Sequence, residues 1–228
     1  MSLGGLNPTI APILQRDTVL ADLGNYYVAT EPTPGTGIVE TASITTFALA
    51  EAAPMFCLFN GSSGATAVNV YPMYLRITMT QANAGGLVQR FTLTLDQGNR
   101  VTTQAAATGI LNIANTNMGS ANKSQCQIST GASLVTSAAT SQRRIVGNQA
   151  FRNGGVVAVI GDVYQFNFGA VEQLDPMSLV ETGTAICNVV HNFAPLVIGP
   201  QQSFLIQHWA ASATTGAGFT YEFGFVEK

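Results

Sequence analysis

The side chains that could do acid–base or metal chemistry are few and scattered along the chain. The histidines are His191 and His208, and neither has a second histidine or a glutamate at the spacing of a metal-binding motif. A metal ion would therefore need ligands that converge from separate strands. We interpret both histidines as structural residues of strands, and we predict no metal site and no cofactor.

The three cysteines, Cys57, Cys126 and Cys187, also lack metal-binding spacing. Cys57 and Cys187 lie in apolar runs, where a free thiol behaves as a small buried hydrophobe. Cys126 stands between polar residues and is predicted to be exposed. An odd number of cysteines, behind an N-terminus without an export signal, favours folding in a reducing cytoplasm.

Motifs for nucleophilic catalysis and phosphate binding do not occur in the sequence. It has no Gly-x-Ser-x-Gly elbow, and Gly35-Thr36-Gly37 lacks the third glycine of a phosphate-binding loop. Paired carboxylates could serve glycoside hydrolysis, but the acidic residues are scattered. Glu222 and Glu227 are predicted to be solvated, and Asp162 is predicted to be a turn residue. We therefore predict that the protein is not an enzyme.

Basic residues are concentrated at one place, formed by Arg143, Arg144 and Arg152. No aromatic residues are interleaved with them, as they would be in a site for single-stranded nucleic acid. An intersubunit salt bridge or a solvated loop is the favoured interpretation. The net charge of −3 and the isoelectric point near 5.2 also argue against a nucleic-acid partner.

Charge is scarce throughout the 228 residues: only 9% are charged, against about 25% in an average domain. Three long stretches, residues 52–75, 101–122 and 182–221, have no Asp, Glu, Lys or Arg. Polar residues interrupt each stretch before about 18 apolar residues accumulate, so none is predicted to span a membrane. Two explanations remain open: a buried assembly surface, concentrated in the C-terminal third, or turns that use Ser, Thr and Asn in place of charge.

The elements that would position these residues are strands. Apolar and polar residues alternate over 75–80, 91–96, 164–168 and 219–225, which is typical of half-buried strands. Runs at 55–59, 156–160 and 204–206 are apolar on both faces and fit central strands. The pattern predicts a C-terminal hairpin with strands at about 203–210 and 219–226. The predicted fold class is all-β, an antiparallel β-sandwich or jelly roll with an N-terminal arm.

We divide the chain into an N-terminal arm and linker, residues 1–37, and a single β domain, residues 38–228. Within the arm, residues 16–23 could form a helical turn or an extended segment. The stretch 101–150 has the weakest pattern. We predict an irregular excursion there, with one or two small strands and a short helix near 103–107.

Three passages carry a resemblance to known proteins. The first is Tyr26-Tyr27 followed, after a Pro/Gly linker, by Thr36-Gly37-Ile38. The second is APMFCLFNG at residues 53–61, and the third is PLVIGPQQSFLIQHW at 195–209 with YEFGFVE at 221–227. In their order and spacing these passages resemble a group of tailed-phage virion proteins, of the head-decoration or jelly-roll capsid-associated kind.

The resemblance implies a virion structural protein without catalysis, made in the host bacterial cytoplasm and placed on the capsid exterior. Such proteins often form trimers at local threefold positions of an icosahedral shell, where they clamp neighbouring capsid subunits. The expected partners are therefore other copies of the chain, as a homotrimer, and the major capsid protein of the phage head. Nucleic acid and membranes are not expected partners.

Alternative functions remain open. In a head-fibre or receptor module, exposed aromatic residues such as Trp209 or Tyr26-Tyr27 would stack on sugars. Trp209, however, follows 204–206 in the same predicted strand, which favours core packing. A jelly-roll major capsid protein is another alternative, and an enzyme has little support.

Overall fold

The structure is a computed structural model that describes residues 16–33, 35–39, 54–82, 89–98, 101–104, 109–130, 134–136, 144–150, 158–169, 188–210 and 217–228. Within these ranges the chain forms one short helix, one 3-10 turn at Gly64–Thr66 and fourteen strands. The elements are α1 (Arg16–Asp22), β1 (Tyr26–Thr30), β2 (Ile38–Val39), β3 (Phe56–Asn60), β4 (Val70–Gln81), β5 (Gln89–Asp96), β6 (Val101–Gln104), β7 (Asn112–Asn115), β8 (Cys126–Thr130), β9 (Leu134–Thr136), β10 (Arg144–Ala150), β11 (Val163–Phe168), β12 (Asn188–Phe193), β13 (Ser203–Ala210) and β14 (Gly218–Glu227).

Most of the strands belong to two sheets. The first sheet has the order β12-β11-β4-β14-β1-β7, and β2 also pairs with β14. The second sheet has the order β10-β5-β13-β3-β8, and β6 and β9 form a separate pair. Neighbours are antiparallel, except that β12 runs parallel to β11.

Eight strands follow the jelly-roll order. Counted along the chain, the eight are β1, β3, β4, β5, β10, β11, β13 and β14. In the first sheet these strands have the order β11-β4-β14-β1, which is sixth, third, eighth and first along the chain. In the second sheet they have the order β10-β5-β13-β3, which is fifth, fourth, seventh and second. Successive strands thus alternate between the two sheets, except for the fourth and fifth, as in a jelly roll. The predicted fold class, an all-β sandwich or jelly roll, is confirmed.

Aromatic rings from both sheets fill the space between them. Phe56 of the second sheet packs on Phe223 of the first, with 5.3 Å between ring centroids, and Phe91 packs on Tyr164 at 5.1 Å. The inward positions of β4 and β14 are buried because apolar residues occupy every second position in these strands. The period-two pattern in the sequence therefore identified the core side of the first sheet.

The segment predicted as arm and linker, residues 1–37, includes elements of the sandwich. Of the two conformations left open for residues 16–23, the structure has the helix, α1, which is followed by Gly24 with a φ of +71°. Strand β1 pairs antiparallel with β14 on one side and with β7 on the other. Residues 26–30 are thus part of the first sheet.

The predicted C-terminal hairpin is wrong, although its two strands lie where they were predicted. β13 pairs with β3 and β5 in the second sheet, whereas β14 pairs with β1 and β4 in the first. The two strands therefore belong to different sheets and do not pair with each other. Strand bounds follow from local alternation, but the choice of partner strand depends on distant residues.

The prediction of a half-buried strand at 91–96 is also wrong. Phe91 and Leu93 face the core, but Thr92 and Thr94 on the opposite side are buried as well. Cys57 and Leu205, on neighbouring strands, are buried with them. The described central strands of the second sheet are therefore covered on both faces, as predicted for the runs at 55–59 and 204–206.

The stretch 101–150 is more regular than predicted. Its described residues contain five strands, β6 to β10, and residues 103–104 of the short helix predicted near 103–107 belong to β6, which pairs with β9. Residues 105–108 lie outside the described part. β7, β8 and β10 extend the edges of the two sheets, where a strand needs fewer apolar residues, so the hydrophobic pattern was weak.

Candidate protein-contact surface

The first sheet presents one face away from the core, formed by the outward side chains of β12, β11, β4, β14, β1 and β7. We call this surface the outer face. The strand register aligns its side chains in rows across the six strands. The central row contains Val190, Gln165, Arg76, Glu222, Thr30 and Asn112, and the next row contains Asn192, Asn167, Tyr74, Gly224, Val28 and Ala114.

The charged residues of these rows neutralise each other. Arg76 donates a hydrogen bond to Glu222 on the adjacent strand, and the pair stands in the middle of the face. The hydroxyl of Tyr74 donates to the other carboxylate oxygen of Glu222, at 2.8 Å. The side chains of Arg76 and Glu222 are 48% and 32% exposed. The outer face thus carries no net charge in its two rows and remains accessible to solvent.

Tyr26 and Tyr74 cover a glycine beside this ion pair. A Cβ atom at Gly224 would lie 2.3 Å from Cε1 of Tyr74 and 3.0 Å from the hydroxyl of Tyr26. Burial, with help from Asp17 and Glu222, raises the pKa of Tyr26 to about 12. Burial and the bond to Glu222 raise the pKa of Tyr74 well above its usual range. Both phenols therefore stay neutral at physiological pH.

Amide side chains continue the outer face towards β12. Gln165 donates from Nε2 to Oδ1 of Asn167 at 2.9 Å, and Asn167 donates to Oδ1 of Asn192 at 3.2 Å. These bonds hold the amides in fixed positions on two adjacent strands. The outer face therefore combines oriented amides, threonines, small apolar residues and two tyrosines around one ion pair.

A second exposed region lies at α1 and the loop between β7 and β8. Asn117 of this loop donates to the carbonyl of Asp22 at 2.9 Å, and Asn115 donates to the carbonyl of Gly24 at 2.9 Å. These amides satisfy carbonyls at the end of the helix. Val19, Leu23 and Met118 are exposed in this region.

The two histidines lie in different sheets and make packing contacts. His208 is buried, stacks on Phe91 with 4.8 Å between centroids and has Gln89 as a hydrogen-bond partner. His191, on β12, lies near Phe193, and burial lowers its pKa. In the described ranges no three His, Cys, Asp or Glu residues come together as a metal site.

The carboxylates depart from the prediction in one case and follow it in another. Glu227 was predicted to be solvated but is buried. Its carboxylate accepts hydrogen bonds from the hydroxyl of Ser124 and, at 3.1 Å, from the backbone N–H of Gln125. Asp162 is a turn residue as predicted. It is fully buried and accepts bonds from the Val159 amide at 3.0 Å and the Tyr164 hydroxyl at 3.2 Å.

Glu31 is a buried carboxylate that the sequence analysis missed. Its two oxygens accept the backbone N–H groups of Gly35 and Tyr221, both at 3.2 Å. The position of Glu31 in a Pro/Gly-rich segment pointed to a turn, and Tyr221 lies 190 residues further along the chain. No local pattern could have identified this contact.

Cys57 and Cys126 are buried. Burial was predicted for Cys57, but the predicted exposure of Cys126 is wrong, because only 9% of this residue is exposed. Burial, followed by the nearby charge of Glu227, raises the pKa of the Cys126 thiol far above its usual range. Cys187 lies outside the described residues.

The cysteine environment gives a direct prediction for thiol labelling. In a Cys187→Ser variant, Ellman's reagent is expected to label less than about a tenth of the thiols of the folded protein, since buried structural cysteines are inert. In denaturant both remaining thiols should react. Mass spectrometry identifies the labelled residue, and complete labelling of Cys126 without denaturant would contradict the structure.

Two open clefts flank the loop at residues 121–125, with volumes of about 580 and 560 Å³. Tyr27, Asn122 and Lys123 line both. Cys126 lies at the second cleft, whose described lining includes no histidine that could act as its base. The clefts bring together polar side chains, among them the Ser124 hydroxyl at the second cleft, which donates to the Glu227 carboxylate at the first.

The remaining residues named from the sequence are distributed as follows. Arg144 is exposed at the start of β10, whereas Arg143 and Arg152 lie outside the described residues. Trp209 and Tyr27 are buried, with 4% and 3% exposure, so neither can stack on an external sugar.

In the described part of the chain no helix is long and apolar enough to cross a membrane. Comparisons with known proteins found no matching family model, no matching curated protein and no matching solved structure.

Proposed function

We propose that this protein is a non-enzymatic phage virion structural protein, a capsid decoration or cement protein that contacts the major capsid protein and other copies of itself on the outside of the head. The observation that carries the proposal is the outer face. It is six strands wide, and the charges in its rows neutralise each other within the chain.

The composition of the outer face supports a role in protein contact. Interfaces are enriched in tyrosine and arginine and depleted in lysine, glutamate and aspartate. The two rows contain Tyr74 and one arginine, Tyr26 covers their glycine, and the only carboxylate already has its partner. Covering such a face with protein leaves no charge unpaired, which avoids the cost of burying an uncompensated charge, about 3–5 kcal/mol.

The capsid assignment is supported by the passages that resemble phage virion proteins. The structure places residues from these passages in β1, β3, β13 and β14, four of the eight jelly-roll strands. Jelly rolls occur in viral capsid proteins, among other families. Since a fold alone does not fix a function, the proposal depends on the passages and the outer face together.

The mechanism of such a protein is passive. A protein that binds the assembled shell, and not its separated subunits, stabilises the shell by mass action. At a concentration about a hundredfold above its Kd, the added stability is about 2.7 kcal/mol for each site. Summed over many sites, this gain opposes the internal pressure of the packaged genome.

Binding to shells tests this function. Purified protein is mixed with empty heads of the phage that encodes it and sedimented through a sucrose gradient. We expect saturable co-sedimentation and a higher temperature of shell disassembly. A protein that stays at the top of the gradient at every concentration would refute the proposal, and a glycan array would then test the receptor alternative through Tyr26.

The strand order also favours a second candidate, a jelly-roll major capsid protein. In that case the chain expressed alone would form closed shells, which negative-stain electron microscopy would show directly. Particles of a few subunits would instead support the decoration protein.

A further inference from the structure

We propose that the outer face binds the same face of a second copy of this chain, around a two-fold axis. The inference rests on the proposed role of the outer face as a contact surface and names its partner. The axis would run parallel to the strands, above the boundary between β4 and β14. This boundary is the middle of the six-strand order, with β12, β11 and β4 on one side and β14, β1 and β7 on the other.

The register makes the face self-complementary about this axis. Arg76 and Glu222 are direct cross-strand neighbours on either side of the boundary. A two-fold rotation therefore places Arg76 of one copy opposite Glu222 of the other, and the reverse contact occurs at the same time. Such reciprocity is what an isologous interface requires.

The rest of the central row is compatible with the same arrangement. Gln165 on β11 comes opposite Thr30 on β1, and Val190 on β12 comes opposite Asn112 on β7. None of these residues is charged, so the contact brings no like charges together. Aligned sheet packing, with strands about 30° apart, keeps the central pairs closest to this register.

The area is sufficient for a specific but moderate interface. Six strands about 4.8 Å apart, each contributing about six residues, give a face of roughly 600 Å². Two such faces bury roughly 1,200 Å² in total, which is the lower end of the range for stable specific complexes. We therefore expect a dimer that dissociates measurably on dilution.

A charge exchange between two variants tests the contact. Arg76→Glu makes the centre of the face acidic, and Glu222→Arg makes it basic. Each variant alone should lose at least about tenfold in dimer affinity, since like charges then face each other across the axis. Mixed in equal amounts, the two variants should form a heterodimer, because every acidic group then faces a basic one.

The mixing step shows whether the effect comes from the contact between copies or from the loss of the ion pair within each chain. Each variant has lost its internal pair, and mixing cannot restore that pair. Lys123→Glu, an exposed charge change on the loop between β7 and β8, serves as the control and should leave the mass unchanged. Circular dichroism establishes that each variant is folded.

Light scattering coupled to size exclusion gives the outcome. We expect twice 23.8 kDa for the wild type and the mixture, and 23.8 kDa for each single variant at the same concentration. A monomeric wild type, a trimer, or single variants that keep the dimer mass would each overturn the two-fold contact. A wild type that binds phage heads without forming a dimer would overturn this inference alone and leave the proposed function intact.

Discussion

Replacing Phe91 with alanine is expected to lower the free energy of unfolding by about 4 kcal/mol, near the middle of the range for large-to-small aromatic core substitutions. The ring is fully buried and joins the two sheets. Its centroid lies 4.8 Å from that of His208 in its own sheet, and 5.1 Å and 5.5 Å from those of Tyr164 and Phe166 in the other. Alanine would leave a cavity among rings that cannot move together without disturbing both sheets.

Urea denaturation, followed by the fluorescence of the single tryptophan, Trp209, measures this effect. Phe91→Leu retains most of the volume and should cost about 1 kcal/mol. Met118→Ala, at a fully exposed position of the loop between β7 and β8, is the surface control and should change stability by less than about 0.5 kcal/mol. A loss below 1 kcal/mol for Phe91→Ala would contradict the packing described for this ring.

Replacing Asn60 with aspartate is expected to destabilise the protein by about 4 kcal/mol at pH 7, the range for a buried charge without compensation. Asn60 is fully buried at the end of β3. Its Nδ2 donates to the carbonyls of Val68 and Ile198, at 2.8 and 3.2 Å, and its Oδ1 accepts the N–H of Ser62 at 3.1 Å. A carboxylate at this place would face two carbonyl oxygens without a hydrogen to share.

The loss should depend on pH in a defined direction. Repulsion from the carbonyls would raise the pKa of the new carboxyl group in the folded state above its unfolded value of about 3.9. The folded variant then binds more protons than the unfolded one, so its stability relative to the wild type falls as the pH rises through the unfolded pKa. Near pH 3.5 the protonated acid can donate one hydrogen bond, and about half of the deficit should disappear.

Asn60→Ala is the matched control for this experiment. It removes the same hydrogen bonds without adding a charge, so it should cost about 2 kcal/mol at both pH values. Urea denaturation at pH 3.5 and pH 7 compares the two variants with the wild type. An Asn60→Asp deficit that is equal at the two pH values would show that the carboxyl group reaches solvent and that the local structure differs from the one described.

The core of the first sheet could be predicted from the sequence because its signal is local. Leu75, Ile77 and Met79 alternate with polar residues, and all three are buried. In such strands every second residue must be apolar wherever one face is covered, so a window of six residues is enough. The bounds of β13 were predicted from a local signal of another kind, the run at 204–206 that is apolar on both faces.

The contacts that define the candidate surface could not be predicted in this way. Arg76 and Glu222 lie 146 residues apart and meet only because the eighth jelly-roll strand inserts beside the third. Glu227 is buried by Ser124 and Gln125, about a hundred positions earlier in the chain. The scarcity of charge was visible in the sequence. Only the strand order, however, shows that β13 is buried on both sides, whereas β12 and β14 contribute to the exposed outer face.

The position of β14 has a consequence for synthesis on the ribosome. It is the last of the described strands along the chain, yet it fills the centre of the first sheet between β4 and β1. Until Gly218–Glu227 has emerged, these two strands have no common neighbour, and Glu222 is not yet beside Arg76. A nascent chain therefore cannot display a finished outer face, and a chain truncated before β14 lacks Glu222 and cannot form that face at all.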